Sequence, residues 1–201
     1  LFSVSLRYHN GLGEWYVGPE PREEFPLRPW RTAGDHILLL PQRGIGVRGV
    51  AMPTTWLDQV RQRLRKVTDR PIRIRRHPGA SKSDPWPDLR GAHCAVTWGS
   101  GAGIKAIAHG IPVFHELEGW IGGPAARHGL ADIEDCYLGD RSLMLHRISW
   151  AQWTIREIET GEAFERLIHA TRDRLLCTGE CPVLHDREGD NAGHATGGRG
   201  C

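Results

Sequence analysis

The segment from His93 to Glu116, HCAVTWGSGAGIKAIAHGIPVFHE, places a β-prone run, a glycine turn, a short helix and a second apolar run in 24 residues. Nothing else in the chain restricts the fold so tightly, because two strands joined by a helix over such a span lie parallel in one sheet. His93 to Thr97 reads as the first strand, and the turn Gly99-Ser100-Gly101-Ala102-Gly103 lets the backbone approach a ligand closely. Ile104 to His109 reads as the helix, with its first amides directed into that turn, where phosphate is the expected guest. Gly110 stands where a helix-ending glycine belongs, and Ile111 to Phe114 has the apolar character of a buried parallel strand. The competing reading is that the small residues only let the helix pack closely on its sheet.

Two better-known glycine signatures are excluded. A Walker A loop needs Gly before Lys-Ser/Thr, but Ile104 precedes Lys105 and Ala106 follows it. The dinucleotide fingerprint fails too, since the glycines at 99, 101 and 103 are spaced by two and position 104 is Ile.

Two further strand ends share this character. Arg70-Pro-Ile-Arg-Ile-Arg-Arg-His-Pro-Gly79 alternates as a strand and ends in Arg75, Arg76 and His77 before a Pro-Gly turn. Open α/β sheets bind ligands at the carboxyl ends of their strands, and guanidinium forks match phosphate oxygens. A solvated basic face is the alternative. His36 to Leu40 is the third strand, followed by the polar turn Pro41-Gln42-Arg43-Gly44-Ile45-Gly46. The expected fold class is therefore α/β, a Rossmann-like parallel sheet with flanking helices.

Residues 1–35 are rich in Gly, Pro and Trp and read as a lead-in or linker, residues 36–176 as the domain. Residues 177–201 lose apolar periodicity and read as a disordered tail. Within the domain, Thr55 is placed to cap a helix from Trp56 to Val67, with Leu57, Val60, Leu64 and Val67 at helical spacing. Ser149 to Leu176 reads as two closing helices, capped by Ser149 and broken at Gly161.

With 26 basic against 24 acidic residues, the net charge of +2 gives no argument for bulk nucleic-acid affinity. No run of 18 apolar residues occurs, so no membrane span and a cytoplasmic setting are expected. Cysteines stand at 94, 136, 177, 181 and 201. Cys177 and Cys181 with His185 superficially suggest zinc, but a lone cluster without a second ligand pair is weak, and no metal is expected.

The order strand, Arg-x-His-Pro, strand, Gly-Ser, helix, Gly-Ile-Pro-Val resembles the carboxyl-terminal, donor-binding Rossmann-like domain of the GT-B glycosyltransferases. The layout is similar to that of bacterial sialyl- and Kdo-transferases and glycerol-phosphate polymerases, over about residues 36–170. The resemblance implies that His77 and Pro78 are the His-Pro pair and Ser100 the serine that contact the donor phosphate, with the amides of Gly101, Ala102 and Gly103 beside them. Relatives often carry paired Ser/Thr where this chain has Gly99-Ser100. Arg75 would pair with the phosphate, while Gln42, Arg43 and Gly44 would face the donor; for His77 the alternative is that it caps its own turn. Glu116, with Glu118 as second candidate, would bind the nucleotide ribose, a solvated loop carboxylate being the alternative, and His115 stands beside it. Trp98 and Trp120 either stack on a ligand or pack.

The implied activity is transfer of a sugar or related group from a nucleotide-activated donor to a glycan or modified-base acceptor. The donor is a substrate and no cofactor is implied. The base usually comes from the other GT-B half, so no catalytic residue is assigned. The length and the opening Leu1 lead to the expectation of one half of a GT-B architecture, inactive without an N-terminal domain. Two other classes are a non-catalytic module binding nucleotide sugar or glycan, and a phage enzyme glycosylating DNA bases through an arginine-rich groove. A nucleotide-sugar epimerase is a nearer neighbour.

Overall fold

The structure, a computed structural model, describes residues 2–5, 17–22, 25–79 and 83–178. His36–Leu40 forms a strand buried at every position, its apolar run Ile37 to Leu40 being the kind that a sheet covered on both faces requires. Phe2–Ser3 precedes it as β1, so His36–Leu40 is β2. There follow α1 (Trp56–Leu64), β3 (Ile72–Ile74), α2 (Trp86–Leu89), β4 (Ala92–Thr97), α3 (Gly101–Ala108) and β5 (Val113–His115). A 3-10 turn at Gly123–Ala125 leads to β6 (Arg127–His128), α4 (Ser142–Ala151), β7 (Gln152–Trp153), α5 (Ile155–Glu159) and α6 (Glu162–Thr178).

The main sheet has five strands in the order β3-β2-β4-β5-β6, all parallel, while β1 and β7 form a separate antiparallel pair. The chain is an α/β protein with a Rossmann-like sheet flanked by helices. Alternate residues of β2 serve its two faces. Ile37 and Leu39 join Trp56, Val60 and Leu64 of α1, and Leu38 and Leu40 join Ala106 and Ile107 of α3 with Met144 and Ile148 of α4. Connections from β2 and β4 depart in opposite directions, so the winding reverses between these two neighbours. A crevice opens at the carboxyl ends of strands at such a reversal.

Several elements differ from the reading of the sequence. The first helix stops at Leu64, and Val67 lies in the following turn, 55% exposed. Thr55 precedes that helix in a helical conformation and makes no side-chain capping bond. The edge strand shrinks to Ile72–Ile74, since Pro71 has no N–H to extend the ladder. The helix expected from Ser149 begins at Ser142 instead, where the Asp140 carboxylate accepts from the Ser142 N–H and hydroxyl. Ser149 is buried in the last turn of α4, donating to the His146 carbonyl and accepting from the Arg22 N–H. The cap of the next helix is Thr154, in a reciprocal capping box with Glu157. Gly161, with a φ of +85°, separates α5 from α6 where a break was expected.

Residues before β2 lie across the domain. Trp30 donates to the Gly139 carbonyl, Arg31 to those of Leu89 and Ala92, and the Arg22 guanidinium pairs with Glu157. No helix among the described residues is long and apolar enough to cross a membrane. The candidate zinc residues Cys177, Cys181 and His185, and the tail around them, lie outside the residues whose side chains are described.

Candidate functional site

A cavity of about 500 Å³ opens where β2, β3 and β4 end. Its floor is tied together by the side chain of Thr97, which donates to the Leu40 carbonyl at 3.1 Å and accepts from the Ser100 N–H at 3.0 Å. The Gln42 amide nitrogen crosses the same seam to the Gly99 carbonyl at 3.4 Å, leaving its oxygen as an acceptor. The loop after β2 is held by the Gln42 N–H on the Met52 sulfur and by the Trp98 indole N–H on the Val50 carbonyl.

Ser100 is the N-cap of α3, its Oγ accepting from the Ala102 N–H at 3.1 Å. The hydroxyl hydrogen remains free to donate. The Gly103 N–H is taken by the Ser100 carbonyl, which leaves the Gly101 N–H unclaimed among the described residues. The expected row of three amides reduces to one amide and a hydroxyl at the positive end of the helix dipole.

The glycines divide in the same way. A Cβ on Gly99 would stand 2.7 Å from Leu117 Cδ2, and one on Gly103 2.9 Å from Trp120 Cη2, so these two permit close packing. A Cβ on Gly101 would meet nothing within 4 Å, because Gly101 faces the cavity. Close packing therefore accounts for Gly99 and Gly103 and not for Gly101.

Arg75, on the opposite wall, is fixed by Asp88, 2.8 Å from its Nε, and by hydrogen bonds to the Ser83 carbonyl and hydroxyl. His77 Nδ1 accepts from the Gly79 N–H at 3.0 Å. With this bond His77 caps its own turn, and an accepting Nδ1 leaves the ring hydrogen on Nε2 of a residue that lines the cavity. Arg43 and Lys105 add cations, and Pro78, Gly44 and Ala102 also line the cavity. Ile45, Val50, Met52 and Leu117 form an apolar wall. Among the described residues lining the cavity there is no carboxylate.

His115 and Glu116 do not line it. His115 is buried, its Nδ1 donating to the Leu117 carbonyl and its ring set against Trp120 and His128. Burial lowers its pKa to about 4, outweighing that hydrogen bond, and the His128 charge adds to the lowering. Glu116 accepts from the Trp56 indole N–H at 2.7 Å and pairs with Arg63, which fastens α1 to the end of β5. Trp98 and Trp120 both pack in the core, Trp98 at its edge. Sequence reading passed over Lys105, Met52, Val50 and Ser83. Lys105 was accessible to it, because a residue one turn after an N-cap stands over the helix start.

Of the arginines between Arg61 and Arg76, Arg61, Arg65 and Arg70 line a second, open pocket with Thr68, Asp69 and Ile72, and four have acidic neighbours. Arg61 lies near Asp58, Arg63 pairs with Glu116, Arg70 with Glu134 and Arg75 with Asp88. Among the described residues, no group of three or more His, Cys, Asp or Glu is disposed to hold a metal ion. Comparisons with protein-family models, curated proteins and solved structures find no match to this chain.

Proposed function

We propose that the chain is the donor-binding part of a glycosyltransferase and that its cavity holds the phosphate of a nucleotide-activated sugar. The observation that carries this reading is the make-up of the cavity at the winding reversal. Arg43, Arg75, His77 and Lys105 stand around a capped helix N-terminus, with no carboxylate among the described lining residues. Such a site favours an anion. The volume lies within the roughly 300–1,000 Å³ of small-molecule sites, and the apolar wall suits the face of a base or sugar. The Arg75, His77-Pro78 and Ser100 pattern narrows the anion to a nucleotide-linked donor through its resemblance to GT-B domains.

In this reading the bond from the sugar to the donor phosphate breaks as the acceptor oxygen attacks, and negative charge grows on the departing phosphate. The Ser100 hydroxyl, Gly101 N–H, His77 Nε2–H and the cations are placed to hold that charge. Arg75 arrives already fixed by Asp88 and Ser83, so little ordering accompanies binding. Acidic neighbours of Arg61, Arg63, Arg70 and Arg75 reduce the positive charge that a DNA groove would need, so a glycan acceptor is preferred to a modified base.

Calorimetric titration with UDP, GDP, CDP and CMP tests the proposal. One nucleotide should bind, and both His77→Ala and Ser100→Ala should abolish or strongly weaken it. A folded chain that binds none of them, or whose binding survives both substitutions, would refute it.

A further inference from the structure

On the face of the sheet away from α3, β4 carries an irregularity. His36 pairs with Ala92 and Ile37 with Cys94, so His93 is an extra residue, a bulge. A bulge re-aims the side chains around it, and here His93 and Cys94, though adjacent, both meet Cys136 in the loop after β6. His93 Nε2 lies 3.4 Å from Cys136 Sγ and 3.2 Å from the Ile133 carbonyl. That carbonyl can only accept, so Nε2 carries the hydrogen and leans on the sulfur as well. Cys94 is fully buried in the cluster against which Cys136 packs, its thiol beside that of Cys136, while Cys136 is partly exposed. The cavity uses none of these groups.

We infer that Cys94 and Cys136 form a dithiol modification site, in which Cys136 reacts with a small-molecule disulfide and Cys94 resolves the product into an intramolecular disulfide. The Cys136 thiolate attacks one sulfur of glutathione disulfide, forming a mixed disulfide and expelling one glutathione thiolate. The Cys94 sulfur then attacks the Cys136 sulfur, gives up its proton to solvent and expels the second glutathione. The two protein thiols are oxidised and glutathione disulfide is reduced to two glutathiones. Roles divide by position, since only Cys136 is open to solvent. The hydrogen bond from Cys94 lowers the Cys136 thiol pKa, and the same contact with burial raises that of Cys94. The more acidic, partly exposed thiol, which also donates to the Ile133 carbonyl at 3.5 Å, and the buried resolving thiol are thus already neighbours.

Peptide mapping of the full chain tests this. The folded protein is treated with glutathione disulfide, alkylated with iodoacetamide and digested with trypsin without reductant. Peptides 91–105 and 128–141 each hold one of the two cysteines, and they are expected joined. Cys94→Ala should stall with glutathione on Cys136. Cys136→Ser should leave Cys94 unmodified, and because that position is partly exposed this variant serves if the buried substitution does not fold. A wild-type chain that stalls at the mixed disulfide, joins Cys136 to Cys177, Cys181 or Cys201, or leaves Cys136 unreacted would overturn the inference.

Discussion

Ser100 holds the helix start and faces the cavity, and replacing it separates those two roles. Ser100→Ala removes the acceptor of the Ala102 N–H, a loss of about 1 kcal/mol for an N-cap. In a domain of this size that lowers the melting temperature by roughly 2–4 °C, and the protein remains folded at room temperature. The same change removes the hydroxyl donor to a bound phosphate. A hydrogen bond to a charged group contributes about 1.5–3 kcal/mol, so nucleotide affinity should fall roughly 10- to 150-fold. Ser100→Asp dissociates the two effects. Aspartate caps as well as serine and suits the helix dipole, so stability should return to that of the wild type while the carboxylate repels the anion and binding disappears. Ser100→Thr should keep both. Thermal melts and calorimetry on the four proteins measure each quantity separately. Wild-type affinity in Ser100→Asp, or unchanged affinity in Ser100→Ala, would refute the assignment of this cap to the ligand.

The two kinds of glycine should respond oppositely to alanine. Gly103→Ala should cost about 1–3 kcal/mol in urea unfolding because its methyl meets the Trp120 ring, whereas Gly101→Ala should leave the midpoint unchanged or raise it and weaken nucleotide binding. His115 titrates near 4 in the folded chain against 6.5 in its absence, so the unfolded chain binds more protons between those values. Its contribution is full above about pH 6.5 and is lost as pH falls toward 4, by up to about 3 kcal/mol. Urea midpoints for the wild type should show this slope and His115→Gln should flatten it. Glu116→Gln removes the charge opposite Arg63 and weakens the Trp56 contact, so unfolding should become easier while calorimetric affinity for nucleotide stays as in the wild type.

The sheet was legible wherever the signal was local. Ile37–Leu40 is apolar throughout and reads as a covered strand, and the turn after Thr97 has too many glycines for anything but a close approach. Ser100, His77 and Arg43 could be placed at one edge because parallel strands carry their carboxyl ends to the same side. What escaped depends on partners distant in sequence. Nothing around Glu116 announces Arg63 and Trp56, which lie more than 50 residues away, so an acid after a strand read as a ligand. β6 has only Arg127 and His128, with no apolar pattern, and exists because β5 offers it an edge. Ser149 looked like a cap because caps and buried helix serines share one residue type, and only the Asp140 bond to Ser142 marks the true start.

The far end of α3 carries a consequence of its own. Its terminal carbonyls are met from outside the βαβ unit: the Arg28 N–H bonds the Ala108 carbonyl, the Arg31 N–H that of Gly110, and the Arg141 guanidinium that of Ile107. Pro29 lies so close that a Cβ on Gly110 would overlap its carbonyl. The helix is clamped from before the first sheet strand and from the start of α4. Excision at His36 would therefore not liberate a self-sufficient module, and grafting residues 93–116 into another sheet would import the anion-facing end of the helix without the groups that terminate it. The portable piece extends at least from Arg28 through Arg141.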